Sequence, residues 1–147
     1  MTTPSDPTTR SAEGAQGAAQ QLAERVASTM FANDRASQAL GMRIASVSPG
    51  RAELTMIVRD DMLNGHAICH GGFIFLLADS TFAFACNSYN RNTVAQGCSI
   101  EYLAPAHGGD VLHNLAAHYG EDRYRLSPLI ARRYATGQCL AAPAPSR

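Results

Sequence analysis

The chain has 147 residues, 46% of them hydrophobic, which is enough for one domain with a core and too few for two. Its formal net charge of +0 argues against a nucleic-acid-binding surface, and no apolar run is long enough to span a membrane. The N-terminus lacks the apolar core of a signal peptide. The four cysteines form no CxxC pair, so a cysteine zinc site is not expected and free thiols fit a reducing compartment. We therefore expect a cytoplasmic protein that binds neither nucleic acid nor membrane.

The first part of the chain is predicted to be helical after a disordered start. Residues 1–17 are rich in Thr, Ser, Pro, Gly and Ala, which is typical of a disordered tail. A helix is expected from about Ala18 to Ala32, because apolar side chains recur there at helical spacing. Asn33-Asp34 either ends this helix or opens a second, short helix around residues 35–40, and Gly41 then breaks the pattern.

The middle of the chain predicts a hairpin, a helix and two further strands. Residues 42–48 and 51–59 read as strands joined by a Pro49-Gly50 turn, and residues 60–69 read as a loop. A helix is expected from about Gly71 to Tyr89, and strands are expected at residues 93–103 and 110–119. This order predicts an α+β fold in which an antiparallel sheet wraps around a central buried helix.

The predicted central helix is apolar on all sides. Residues 73–86 contain three polar side chains, at positions 79–81, so we expect the helix to be buried and Asp79 with it. A buried carboxylate is costly unless it is paired, hydrogen-bonded or protonated. Gly71-Gly72 at the helix start leaves backbone N–H groups open to close approach. A helix start beside a buried acid indicates chemistry on a carbonyl group.

The spacing of the two groups bears on how they would cooperate. Gly71 and Asp79 are eight residues apart, which is about 12 Å along one helix, too far for one small carbonyl group to contact both. If both serve one reaction, the simplest arrangement is a dimer with antiparallel helices. The chemistry would be acyl transfer, with the Gly71 N–H holding the oxyanion and Asp79 as base or nucleophile. Asn64 and His70 could orient the thioester, the water or the carboxylate.

Each of these residues also has a structural interpretation. Asp79 could be a buried acid satisfied by a neighbour, and a single histidine such as His70 is more often structural than catalytic. Asn64-Gly65 is a turn by default. Cys69 has apolar neighbours and is expected to be a packing residue rather than a thiol nucleophile. The phenylalanines of the helix are core residues first and pocket residues second.

Several short motifs follow one another in a set order: Asn64-Gly65-His66, His70-Gly71-Gly72-Phe73, Leu77-Ala78-Asp79, Phe82-Ala83 and Ala85-Cys86-Asn87-Ser88. In this order they resemble the phenylacetic acid degradation (PaaI-type) thioesterases, which are hotdog-fold acyl-CoA thioesterases. The resemblance spans roughly residues 22–119 and includes the Tyr102-Leu103-x-Pro105 strand end.

The resemblance implies a hotdog fold and hydrolysis of aryl-acetyl-CoA thioesters, such as phenylacetyl-CoA or its ring-hydroxylated forms, in phenylacetate catabolism. It also implies a homodimer or homotetramer with shared active sites, and neither metal nor cofactor. Gly71 matches the oxyanion-hole glycine, and Asp79 matches the catalytic carboxylate supplied by the neighbouring subunit. Asn64 and His70 match the polar groups that position the thioester and the water. The residues expected to bind the substrate are Gly72, Phe73, Phe75 and Phe82.

The resemblance ends after Tyr119. Family members continue with two long alternating strands, whereas residues 120–147 show no such alternation and contain Pro128. We therefore expect a hotdog domain at residues 18–119, and a divergent segment at 120–147 that packs poorly and leaves residues 110–119 as the sheet edge. Two other functions stay open: a hotdog dehydratase of 3-hydroxyacyl thioesters that relies on His70, and an inactive, truncated acyl-CoA-binding homologue.

Overall fold

The computed structural model describes residues 7–118, 124–126 and 130–132, with side chains from residue 12 to residue 118. The helices of this part are α1 (Pro7–Asn33), α2 (Arg35–Ala39) and α3 (Gly71–Asn87), and a 3₁₀ turn covers Asp60–Met62. The strands are β1 (Arg43–Ser48), β2 (Arg51–Ile57), β3 (Val111–His118), β4 (Tyr124–Leu126) and β5 (Ile130–Arg132). The predicted α+β class is confirmed. The hairpin, the central helix and the strand at 110–119 are found with ends that differ by no more than two residues from those predicted.

The strands form an antiparallel sheet, and α3 lies across one of its faces. β1 pairs with β2, β2 pairs with β3, and β4 and β5 both pair with β3. The β1–β2 turn uses Gly50 at φ +73°, a conformation that glycine adopts without steric cost. Alternate side chains of the two central strands are buried on the helix side: Ala52, Leu54, Met56, Leu112, Asn114 and Ala116. This alternation places the core between β2, β3 and α3.

Helix α1 starts earlier than the composition predicts. The expected disorder of residues 1–17 is wrong from Pro7 onwards, because α1 begins there, and residues 1–6 lie outside the described part. Proline fits the first turn of a helix, and the alanine and glutamine residues that follow are strong helix formers. The side chains of residues 12–18 are exposed, so local propensity rather than core packing accounts for this extension.

The strand predicted at residues 93–103 is absent. This described segment has no strand, and its apolar side chains Val94 and Leu103 are 84% and 80% exposed. A strand needs a neighbour for its backbone N–H and C=O groups, and β4 and β5 already occupy the edge of β3 that β2 leaves free. The sequence therefore predicted a strand here without showing which strand it would pair with.

The prediction that residues 110–119 form the sheet edge is wrong. β4 pairs with residues 116–118 of β3 and β5 pairs with residues 111–113. Two residues of β3 separate these pairings while three residues separate β4 from β5, so the register shifts by one between them. Pro128 stands between these two strands in sequence and lies outside the described residues. The remainder of residues 120–147, and how well it packs, lies outside the described residues.

Candidate active site

The loop that leads into α3 is closed by its own backbone. Leu63 and Cys69 form a β-bridge, and the His70 N–H donates to the Met62 carbonyl at 2.9 Å. Within the loop, Asn64 makes the turn that its sequence predicts: its side-chain Oδ1 accepts from the His66 N–H at 2.9 Å. Among the described residues its Nδ2 amide has no hydrogen-bond partner. Asn64 therefore has a structural role in this loop, and its Nδ2 amide is available to donate a hydrogen bond to a ligand.

His70 caps α3 at its N-terminus. Its backbone is extended (φ −64°, ψ 132°), and its Nδ1 accepts from the Gly72 N–H at 3.0 Å. A nitrogen that accepts carries no proton, so the neutral ring has its proton on Nε2 and presents a donor there. The ring packs edge-on to Phe73, with centroids 6.4 Å apart, and is otherwise exposed.

Gly71 carries the open donor at the helix start. The Gly72 and Phe73 N–H groups are both bonded to His70, whereas the Gly71 N–H has no partner among the described residues. An N–H with no partner at the positive end of a helix can hold a developing oxyanion. The Tyr102 hydroxyl donates to the Gly71 carbonyl at 3.1 Å, and its ring Cζ lies 3.0 Å from the point where a Cβ on Gly71 would stand.

Tyr102 is a neighbour of the site that the sequence did not single out. It stands 31 positions after Gly71 and belongs to the segment predicted as a strand. The one signal in the sequence that points to Tyr102 is the resemblance of the Tyr102-Leu103-x-Pro105 strand end to the family. Nothing in residue type or spacing predicts that this hydroxyl reaches the helix start.

The prediction that Asp79 is buried is wrong for the single chain. The sheet covers the face of α3 that carries Ile74, Leu77 and Phe84, and Asp79 lies exposed on the opposite face. An apolar composition predicts burial on all sides of a helix, but it does not say which face the sheet of the same chain leaves uncovered. Among the described residues, the Asp79 carboxylate has neither a hydrogen bond nor an ion pair.

The aromatic residues predicted for the pocket divide between the two faces of α3. Phe73 packs against the core. Phe75 and Phe82 are half-buried and lie one turn before and about one turn after Asp79, on its side of the helix. Gly72 is exposed. We call Phe75, Asp79 and Phe82, with Gly72 at the helix start, the open face of α3.

The thiols of this region are unsuited to nucleophilic attack. Burial raises the pKa of Cys69, and the nearby Asp110 carboxylate raises it further. Burial also raises the pKa of Cys86, with a smaller effect in the same direction from Asp79. Because the thiolate is the nucleophile, both shifts favour the unreactive form, which agrees with Cys69 as a packing residue.

One chain does not bring all the predicted groups together. Gly71 and Asp79 lie on the same helix, about 12 Å apart along its axis, as their spacing predicts.

A cleft of about 670 Å³ lies elsewhere, between α1 and the β1–β2 turn, and is lined by Glu13, Gln16, Gly17, Ala19, Gln20, Ser48 and Pro49. No group of three or more metal-ligating side chains occurs within the described residues. No described helix is both long and apolar enough to cross a membrane.

The sheet wrapped on one long helix is the hotdog fold, and comparisons with known proteins agree. The sequence profile of the Thioesterase superfamily matches residues 66–114. The structure of the E. coli PaaI protein from the phenylacetic acid degradation operon superposes with a TM-score of 0.73 at 39% identity, over 76% of this chain and 83% of that one. A mutant of the phenylacetic acid degradation protein PaaI from Thermus thermophilus superposes with a TM-score of 0.63 at 32% identity, over 73% and 91% of the two chains.

Sequence comparison also finds the PaaI protein of E. coli. The chain is 49% identical over 86 residues to the acyl-coenzyme A thioesterase PaaI of Escherichia coli K12, over 58% of this chain and 61% of that protein. The chain spans less than two thirds of the length of the curated relatives it matches. The chain belongs to the thioesterase superfamily and, within it, to the PaaI-type hotdog proteins.

Proposed function

We propose that this protein is an acyl-CoA thioesterase that hydrolyses aryl-acetyl-CoA thioesters, such as phenylacetyl-CoA and its ring-hydroxylated forms, in the cytoplasm during phenylacetate catabolism. One observation carries the proposal. A PaaI-type helix presents an open N–H at Gly71 and, on its uncovered face, a carboxylate at Asp79 that has no described partner. These are the donor and the base that hydrolysis of a thioester needs.

The proposed active unit is a homodimer, or a homotetramer built from two such dimers. The open face of α3 carries two half-buried phenylalanines that no described element covers fully, and Val94 and Leu103 are exposed as well. Apolar surface of this kind is typical of a protein interface. If two copies of α3 pack antiparallel through the open face, the start of each helix lies near the middle of the other, which brings Gly71 close to Asp79 of the partner subunit.

The proposed reaction uses water as the nucleophile. The thioester carbonyl oxygen accepts from the Gly71 N–H, and Asp79 of the partner subunit takes a proton from water as the water oxygen attacks the carbonyl carbon. The carbon–sulfur bond then breaks, coenzyme A leaves as a thiolate, and the proton passes to its sulfur. The His70 Nε2–H and the free Asn64 amide are donors that orient the thioester or the water. Attack by the carboxylate itself is the alternative course at the same residues.

Two observations support the proposed substrate class. Phe75 and Phe82 flank Asp79, and aromatic side chains pack well against an aromatic acyl group. The names of two relatives refer to phenylacetic acid degradation. Thiols buried without disulfides at Cys69 and Cys86 fit the reducing cytoplasm in which coenzyme A esters are used.

The dehydratase alternative is less favoured, because it requires a histidine that accepts a proton from the substrate. The Nδ1 of His70 already accepts from the Gly72 N–H, so its lone pair is engaged in capping the helix. The alternative of an inactive acyl-CoA-binding homologue is also less favoured, because it gives the exposed Asp79 carboxylate no role.

Release of coenzyme A from a panel of thioesters tests the proposal. Phenylacetyl-CoA, hydroxyphenylacetyl-CoA and straight-chain acyl-CoAs are incubated with the protein, and the new thiol is read with a colorimetric reagent against an enzyme blank. We expect turnover that is highest for the aryl-acetyl esters and falls on the order of 100-fold in Asp79→Asn. Glu24→Gln, which neutralises an exposed carboxylate on α1, is the matched control and keeps full activity.

Each alternative has its own outcome in this experiment. Asp79→Asn with more than about a tenth of wild-type turnover would remove the role of the carboxylate. Conversion of 3-hydroxyacyl-CoA to the enoyl ester without thiol release would identify a dehydratase. Binding of acyl-CoA without turnover of any ester would identify an inactive homologue.

A further inference from the structure

A chain of hydrogen bonds runs from Tyr102 to His70 through one peptide group. The Tyr102 hydroxyl donates to the Gly71 carbonyl at 3.1 Å. That carbonyl shares its peptide group with the Gly72 N–H, which donates to the His70 Nδ1 at 3.0 Å. The hydroxyl, the peptide and the imidazole are therefore joined in one line, with every donor pointing towards His70.

Linked hydrogen bonds of this kind strengthen one another. A donor to the carbonyl oxygen of a peptide polarises the peptide and makes its N–H a better donor. The stronger N–H in turn favours the ring form in which Nδ1 accepts and the proton stands on Nε2. Tyr102 thereby biases the tautomer of a ring that it does not contact.

The placement of Tyr102 is not explained by core packing. The residue is 54% exposed and lies in a segment without secondary structure. Its ring nevertheless lies so close to Gly71 that a Cβ there would stand 3.0 Å from the ring Cζ. Because a half-exposed side chain gains little free energy from burial, burial alone does not account for the contact between Tyr102 and the start of α3.

We propose that Tyr102 is a positioning residue for the thioesterase reaction, acting through the Gly71–Gly72 peptide to hold His70 as its Nε2–H tautomer. The helix start then offers two ready donors, the Gly71 N–H and the His70 Nε2–H, to the thioester and the water. The inference rests on the proposed function, but its structural half, the control of the tautomer, can be measured without any substrate.

Tyr102→Phe tests the inference, because it keeps the ring over Gly71 and removes the hydroxyl. Long-range ¹H–¹⁵N correlation spectra of the imidazole, with His70 assigned through a His70→Gln sample, report the tautomer directly. We expect the ratio of Nδ1–H to Nε2–H forms to rise about threefold or more, the effect of losing one hydrogen bond from a linked set. Tyr89→Phe removes the hydroxyl of another exposed tyrosine and is expected to leave the ratio unchanged.

Kinetics with phenylacetyl-CoA supply the second readout. In Tyr102→Phe we expect kcat to fall about tenfold while KM stays within about twofold, since the hydroxyl acts on the reacting donors rather than on binding. An unchanged tautomer ratio overturns the inference. A shifted ratio with unchanged kcat overturns the positioning role. Wild-type protein that releases no coenzyme A refutes the proposed function instead, and the tautomer ratio still decides whether the hydrogen-bond chain operates.

Discussion

The close contact between Gly71 and Tyr102 predicts an energetic coupling that can be measured. In Gly71→Ala the new Cβ would lie 3.0, 3.1 and 3.2 Å from the Cζ, the hydroxyl oxygen and the Cε1 of Tyr102. Optimal contacts between carbon atoms are about 3.5–4.0 Å, so the ring has to move. Overpacking costs about 1–3 kcal/mol, and the lower end applies because Tyr102 is half-exposed and can swing outwards.

A second effect of the same substitution has the opposite sign. Replacing glycine by alanine in a helix stabilises the protein by about 0.5–1 kcal/mol, because the unfolded chain loses freedom. In the wild-type background the two effects nearly cancel. In a Tyr102→Ala background the overpacking disappears, so Gly71→Ala should raise the free energy of unfolding by about 0.5–1 kcal/mol. The cycle therefore predicts a coupling of about 1 kcal/mol.

Urea denaturation of the four proteins of this cycle, at one fixed protein concentration, measures the coupling. A parallel cycle with Gly65→Ala is the control, since a Cβ at Gly65 meets nothing within 4 Å and Gly65 has no positive φ. Effects of Gly71→Ala and Tyr102→Ala that add within about 0.3 kcal/mol would refute the close contact. The cycle also shows whether a loss of activity at Gly71 reflects a blocked substrate or a displaced Tyr102.

Three further predictions concern the buried Ser88 hydroxyl and the cysteine thiols. The buried Ser88 hydroxyl accepts from the Gly50 N–H at 2.7 Å. Ser88→Ala leaves that donor unpaired and is expected to destabilise the protein by about 1–3 kcal/mol, which thermal unfolding measures. A thiol reagent is expected to label the exposed Cys98 well before the buried Cys69 and Cys86 in native protein, and equal rates would contradict their burial. Burial raises the pKa of the Cys69 and Cys86 thiols above the ordinary 9.0. The stability due to their protonated forms is therefore present below pH 9.0 and is lost as the pH rises through the folded-state pKa. Urea midpoints at alkaline pH check this when they are compared with those of a Cys69→Ala/Cys86→Ala protein.

Local patterns in the sequence predicted the elements that local forces form. The apolar and polar alternation of residues 51–59 and the Pro49-Gly50 turn determine a hairpin because both signals act between near neighbours. The same holds for the apolar run that becomes α3. Residues 93–103 also look like a strand in sequence, but a strand there depends on a neighbouring strand that the sequence of this segment does not specify.

The sequence likewise predicted some features of the candidate site and not others. Residue types and order identified His70 at the start of the helix, Gly71 beside it, and the carboxylate of Asp79. They did not reveal that Asp79 faces away from the sheet, because the composition of a helix does not say which of its faces the sheet packs against. The Tyr102 contact joins positions 31 apart and depends on how the later segment folds back.

The central claim is that each active site takes Gly71 from one subunit and Asp79 from the other. A subunit-mixing experiment tests it most directly, using Gly71→Val and Asp79→Ala proteins that are each inactive alone. Unfolded together in equal amounts and refolded, they form mixed dimers in which one of the two sites has both wild-type residues. Random pairing makes half of the dimers mixed, so shared sites predict that activity returns to about a quarter of the wild-type value. Mixed dimers with no more activity than the separate variants would contradict the shared site.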